Sequence, residues 1–357
     1  MTDLGWGFIG ASIWARTRLL PAISATPGAT PIAVFSTSEE RGRRFAYDGG
    51  LPHSYSSLED LLSDPDIDAV YISTTNDLHA AQTIAAAAAG KHVLCEKPLA
   101  TTLDDAERMQ AACDEAGVVL ATNHHLRGAP TITRMRQLIA AGEIGEVVAA
   151  RIFFSSSLPA DMRTWRLDRP DAGGGAVLDL TVHDADTIRY LLDDEIVEVT
   201  ALTSSGELGQ GIVEDSAMGV MRTSRGPLIC FHDSFIVPHA GNGLEIHGTT
   251  GSLIARDVLT ADPVGEVWLR RLDELTPIPI EHRWPLYENA VAKFMAAVRG
   301  EGQVLTSGRD GIASLAIALA ALQSAEQGRP VAPGGTVLPT ACNAPEVSIA
   351  ATATVSD

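Results

Sequence analysis

Five short apolar runs, "GWGFIG", "TPIAVFS", "DAVYIST", "KHVLCE" and "GVVLATN", recur through the first 123 residues with helix-length segments between them. Each run is too short for a core helix and is bounded by Gly, Asp, Asn or Lys, so each reads as a buried strand. Strands that alternate with helices form βαβ units, and βαβ units build a parallel sheet covered on both faces. This pattern excludes an all-helical bundle and an all-β barrel for the first half of the chain.

After about Asn123 the rhythm changes. A helical pattern at roughly 129–142, "PTITRMRQLIAAG", leads into "GEVVAARIFFSSS", "EIVEVTALTSS", "SAMGVMRTS", "GPLICFHDSF", "GLEIHGTTGSLIA" and "EVWLRRL". Consecutive strands joined by Gly, Ser or Asp turns predict an open, mainly antiparallel sheet in an α+β domain. Two late helical patterns, "LYENAVAKFMAAVRG" and "GIASLAIALAALQSAEQG", close it, the second apolar nearly all round and therefore buried. The expected layout is a doubly wound parallel domain over 1–123, an α+β domain over 124–330 whose late helices can pack back on the first, and a loose tail rich in Pro, Gly, Ala and Thr over 331–357.

With 45 acidic against 26 basic residues the formal charge is −19, which repels phosphate backbones and anionic lipid surfaces. Nucleic acid and membrane are therefore not expected as partners, although a local basic pocket for one small anionic cofactor is compatible with that charge. Cys95, Cys113, Cys230 and Cys342 form no C-x-x-C pair, and the start, "MTDLGWGFIGAS", has no basic, apolar leader. Both features are read as those of a soluble cytoplasmic protein.

The first strand runs directly into "GASIWA". Against the G-x-G-x-x-G fingerprint Gly10 keeps the tight turn, while Ser12 and Ala15 stand in for the second and third glycines. The turn Gly10, Ala11, Ser12 and Ile13, at the positive end of a helix, suits a pyrophosphate, and Ser12 is placed to donate to it; the plainer reading is a strand-to-helix turn. The second strand ends at Ser36, Thr37 and Ser38 with Arg41 close behind, where an NAD site ordinarily carries an acid. Hydroxyls and a guanidinium suit a 2′-phosphate, so the expected cofactor is NADP(H); Thr37 and Glu40 also fit a capping box, and both readings can hold together. Thr74, Thr75, Asn76 and His79 follow the next buried strand of the sheet at the ligand-facing carboxyl ends, with helix capping by Asn76 as the alternative.

"GKHVLCEKPLA" sends a buried strand into Glu96, Lys97 and Pro98. A lysine there needs a partner or a ligand unless it marks an exit to solvent, and Pro98 holds Lys97 extended. In "AGGGAVLDLTVHDADTIRYLL" Asp179 and His183 lie four residues apart on one helix face. A carboxylate beside an imidazole can orient it and raise its pKa, which provides the proton donor that a carbonyl reduction needs. A structural pair and a metal site are the alternatives. Telling third and fourth ligands are absent and His124 and His125 point apart from a strand end, so no metal is expected.

The "EKP" after a dinucleotide-fold strand, the preceding "TTNDLH" and the Gly-rich D-x-x-x-H helix together resemble the Gfo/Idh/MocA oxidoreductases over about residues 5–330. The resemblance implies a Rossmann domain followed by an α/β domain whose open sheet serves oligomerisation. It implies that Lys97 holds substrate near nicotinamide, that His183 is the acid/base and that Asp179 assists. It also implies that Trp165 and Arg166 of "WRLDRP" and Tyr287 of "LYENA" close over the cofactor, with Glu96 and Asn123 beside it. The activity it implies is reduction of a sugar ketone. Oxidation of another sugar or polyol, such as inositol or levoglucosan, and a non-catalytic NADP(H)-binding sensor are the alternatives.

Overall fold

The computed structural model describes residues 3–334. Its first sheet is parallel, six-stranded and ordered β3-β2-β1-β4-β5-β6, with β1 Leu4–Ile9, β2 Ala29–Phe35, β3 His53–Tyr55, β4 Ala69–Ile72, β5 His92–Cys95 and β6 Leu120–Thr122. β1 and β4, the two central strands, are buried at every position, which is why they read as continuous apolar runs without alternation. The order reverses between β1 and β4, and a doubly wound sheet opens its ligand crevice at the carboxyl ends beside that reversal.

The second sheet has eight strands in the order β14-β13-β12-β11-β7-β10-β9-β8. They are β7 Val147–Ser157, β8 Ile196–Ser204, β9 Ser216–Thr223, β10 Leu228–Ser234, β11 Ile236–Gly248, β12 Ser252–Arg256, β13 Glu266–Arg271 and β14 Glu274–Pro277. Every pairing is antiparallel except β7 with β10, so the sheet is mixed and mainly antiparallel.

The late helices bind the two sheets into one body. Phe294, on the helix Leu286–Val298, packs its ring 5.1 Å from that of Trp6 in β1. The helix Gly308–Gln327 opens with a capping box between Ser307 and Asp310, then accepts Ala201 N–H of β8 on Ser324 Oγ at 3.1 Å. Its Ser314 meets His124 beyond β6, so the same helix braces both sheets. The expected loose tail needs correction at its start. Val331 exchanges both backbone hydrogen bonds with Val199 of β8, and Val331 and Ala332 are buried. The rest of that segment, beyond 334, lies outside the described residues. Among the described residues no helix is long and apolar enough to cross a membrane.

Candidate active site

A cavity of about 640 Å³ runs from the Gly10 turn, past the ends of β2, β4 and β5, to the face of β7 and the helix that follows the glycine run 173–175. Gly10 has φ +104°, and a Cβ there would approach the Ser73 carbonyl to 3.2 Å, so only glycine fits this turn. Ala11, Ser12 and Ile13 line the cavity behind it. Ser12 Oγ accepts from Ala15 N at 2.9 Å and donates to Ser73 Oγ at 2.9 Å. Its proton is thus committed to Ser73, and the groups left for a pyrophosphate are the unpaired backbone amides of the helix start.

At the end of β2, Ser36, Thr37 and Arg41 line the cavity, and Arg41 Nε donates to Ser36 Oγ at 3.4 Å. Ser38 is turned away as the cap of the helix Glu39–Gly49, accepting from Arg41 N at 3.3 Å, so the expected Thr37–Glu40 box is replaced by a cap one residue later. Beyond β4, Thr74, Thr75 and Asn76 line the cavity. Asn76 does not cap a helix; its Nδ2 donates to Gly173 O at 3.1 Å and ties the first sheet to the glycine turn of the second half. His79 does not reach the cavity. The short 3-10 turn Asn76–Leu78 carries it underneath, where its fully buried Nδ1 meets Pro98 O at 3.0 Å, and Leu78 takes the rim position.

Lys97 supplies the charge at the other end. Its Nζ donates to Asp179 Oδ1 at 2.6 Å and to Asp179 backbone O at 2.8 Å, which uses two of its three N–H groups. Arg166 Nε lies 3.4 Å from Asp179 Oδ2, and its guanidinium sits over the Trp165 ring. Lys97 and Arg166 together hold the buried Asp179 carboxyl below its usual range against the opposing effect of desolvation. His183 lines the same corner, but the expected carboxylate-imidazole pair does not form. Two cations attract the Asp179 carboxylate more strongly than a neutral imidazole can, so His183 Nδ1 has no hydrogen-bond partner among the described residues. Burial first, then Lys97, His125 and His124, push its pKa well down rather than up.

Glu96 lines the cavity beside Lys97 and accepts from Tyr71 Oη and, at 2.6 Å, from Asn123 Nδ2. Burial raises its pKa. Asn123 therefore stands behind Glu96 rather than on the cavity surface. Tyr287 is also one layer back, its ring stacked on His125 with centroids 4.9 Å apart. His125 itself lines the cavity, as do Trp14 and an apolar wall of Phe154, Leu158, Met162 and Phe235, none of which the motifs singled out. His124 and His125 do not diverge as from a strand end. A 3-10 turn at His125–Gly128 curls the chain, so that both rings come within 5.5 Å of the His183 ring. Among the described residues no group of three or more His, Cys, Asp or Glu side chains is arranged to hold a metal ion.

A dinucleotide-fold crevice that ends in a half-buried lysine and carboxylate beside a buried imidazole suits an oxidoreductase, and the comparisons identify which kind. The chain belongs to the Gfo/Idh/MocA family: residues 4–124 match the model described as "Oxidoreductase family, NAD-binding Rossmann fold" and residues 132–254 match "GFO/IDH/MocA C-terminal domain". It is 50% identical over 324 residues to 1,5-anhydro-D-fructose reductase of Ensifer adhaerens, covering 91% of this chain and 97% of the relative. Among solved structures it resembles the aldose-aldose oxidoreductase of Caulobacter crescentus complexed with glycerol, at TM-score 0.85 and 26% identity over 92% of this chain and 99% of that one. It also resembles levoglucosan dehydrogenase in complex with NADH and levoglucosan, at TM-score 0.83 and 26% identity over 93% of this chain and 100% of that one.

Proposed function

We propose that this protein reduces the ketone of a sugar with NADPH, and that its substrate is 1,5-anhydro-D-fructose, giving 1,5-anhydro-D-mannitol. The observation that carries this reading is the Lys97 ammonium, fixed by Asp179 at 2.6 Å in the same cavity as the Gly10 turn and His183. The half-identical relative named for that activity supports the choice of sugar. NADPH over NADH is supported by Ser36, Thr37 and Arg41 at the end of β2, where no carboxylate stands to meet a 2′-hydroxyl.

When bound, the nicotinamide supplies the hydride. The third N–H of Lys97 points its charge at the carbonyl oxygen, polarises it and delivers the proton as the alkoxide develops. Asp179 remains ionised and keeps Nζ in place. His183, kept neutral by burial, hydrogen-bonds the same oxygen through Nε2, the ring nitrogen that the fold does not bury. Trp165 and Arg166, which line the cavity from the second half of the chain, would close over the cofactor with Glu96 alongside, and Asn123 and Tyr287 would support that wall from behind. The outward face of the second sheet, where Leu202, Met218, Val220 and Leu228 stand exposed side by side, supports a homo-oligomer formed through that sheet.

The test is an absorbance assay of NADPH and NADH with keto sugars, and of both oxidised cofactors with polyols. Faster NADPH oxidation with 1,5-anhydro-D-fructose is expected. Faster turnover of inositol or levoglucosan would replace the substrate, and tight cofactor binding with no turnover of any carbonyl would remove the enzyme reading.

A further inference from the structure

Of the two imidazoles that line the cavity, His183 and His125, the mechanism above uses only the first. His124, next to His125, meets Ser314 Oγ at 2.9 Å and does not line the cavity. His125 lines the cavity and is 6% exposed. Its ring is clamped by Tyr287, stacked at 4.9 Å, and by Trp14 at 6.2 Å; the Asn123 carbonyl lies near the ring, but Nδ1 makes no well-formed hydrogen bond among the described residues. Nδ1 is sealed inside the protein, which leaves Nε2 toward the cavity. A buried imidazole with no partner is costly unless a bound molecule supplies one.

The chemistry of that molecule follows from the charge state. Burial and the nearby Lys97 push the His125 pKa down to about 3, so the ring is neutral, with one donor and one acceptor. Asp179 already offsets one of the two positive charges of Lys97 and Arg166, and the neutral His125 ring adds none. An uncharged hydroxyl, itself both donor and acceptor, is the matching group. The His125 ring lies 5.2 Å from that of His183, at 77° to it, so its nitrogen serves a neighbour of the oxygen that Lys97 and His183 hold.

We infer that His125 is a substrate-binding residue that recognises the hydroxyl on the carbon next to the reacting ketone. The inference rests on the sugar-ketone reading above. In 1,5-anhydro-D-fructose the carbon on one side of the ketone carries only hydrogens, so the hydroxyl in question is the one on carbon 3.

The experiment compares wild type, His125→Ala, His125→Phe and His125→Gln on 1,5-anhydro-D-fructose and its 3-deoxy analogue, with NADPH Kd measured by fluorescence titration. Wild type is expected to prefer the parent sugar by roughly tenfold in kcat/KM, the effect of one neutral hydrogen bond. His125→Ala and His125→Phe raise KM for the parent by about that factor, leave kcat within about threefold and lose the preference. Phenylalanine keeps the stack on Tyr287, so it answers for packing, and glutamine restores part of the preference. An undiminished preference in the Phe variant overturns the inference, and so does an NADPH Kd that rises in step with KM. If wild type turns over a different sugar, the proposed substrate fails; the same comparison with that sugar and its analogue lacking the neighbouring hydroxyl still decides the role of His125.

Discussion

Lys97 Nζ and Asp179 Oδ1 are 2.6 Å apart, although one side chain leaves the end of β5 and the other the first turn of a helix in the second half of the chain. The amine is therefore aimed by a residue of the other domain. Lys97→Ala is expected to lower kcat by about 10²- to 10⁴-fold, the usual contribution of a positioned acid, with NADPH Kd changed only a few-fold. Asp179→Asn leaves the half-buried Lys97 and Arg166 without their counter-charge and should lower stability as well as turnover. Steady-state kinetics with cofactor titration and urea melts measure both; near-normal turnover of Lys97→Ala is the result that removes the amine from the chemistry.

Arg41 has a narrower role. Its guanidinium lies at the cavity edge near Ser36, where a 2′-phosphate would meet it. Arg41→Ala should weaken NADPH binding by roughly 10- to 100-fold, the value of a hydrogen bond to a charged group, and leave NADH binding within about twofold. Equal losses for both cofactors would place Arg41 on the adenine ring or the scaffold instead.

The parts of this site that could be read in sequence are those set by local rules. Gly10 announces a positive φ, the five apolar runs announce parallel strands, and a lysine at the end of a buried strand announces a partner. β3 and β14 are not legible, because one exposed and two half-buried residues in the first and four exposed ones in the second carry no apolar run or alternation. The D-x-x-x-H spacing put Asp179 and His183 on one helix but could not say where the carboxylate points, since that is decided by Lys97 and Arg166 from other segments. His125 stayed hidden for a related reason. Its direction depends on a 3-10 turn after β6, and its exposure depends on what Tyr287, far along the chain, covers.

The three imidazoles around the site make the fold acid-labile. Burial pushes His124 down to about 4, His125 down to about 3 and His183 well below its ordinary value. The unfolded chain protonates all three near pH 6.5, whereas the native state takes up those protons only at lower pH. The contribution of these three rings is therefore intact above about pH 6.5 and lost as pH falls toward 4, with a slope approaching three protons, about 4 kcal/mol per pH unit. Urea midpoints measured from pH 7.5 to 5 should decline steeply, and His124→Gln should reduce the slope by about one proton. A slope unchanged in His124→Gln would contradict the buried neutral state of that ring.

Asp184 and Asp233 act in the opposite sense. Asp184, on the helix that carries His183, and Asp233, at the end of β10, are both fully buried, and neither has a cationic partner among the described residues. Thr181 Oγ1 donates to Asp233 Oδ2 at 2.5 Å, which satisfies only one oxygen. Asp233 is pushed up to about 6 and Asp184 well above the usual carboxylate range, chiefly by desolvation. A raised folded pKa means that the native state holds the protons more tightly, so this contribution is full below about pH 4 and lost as pH rises through 6 and beyond. Asp184→Asn keeps the shape and can donate an amide hydrogen to Asp233. It should raise stability at pH 8 and change little at pH 5. Thermal melts at the two pH values measure the difference, and equal destabilisation at both would show that the pair is held by contacts other than a shared proton. Because the imidazoles lose stability as pH falls below about 6.5 and this carboxyl pair as pH rises above about 4, the two contributions oppose one another between those values.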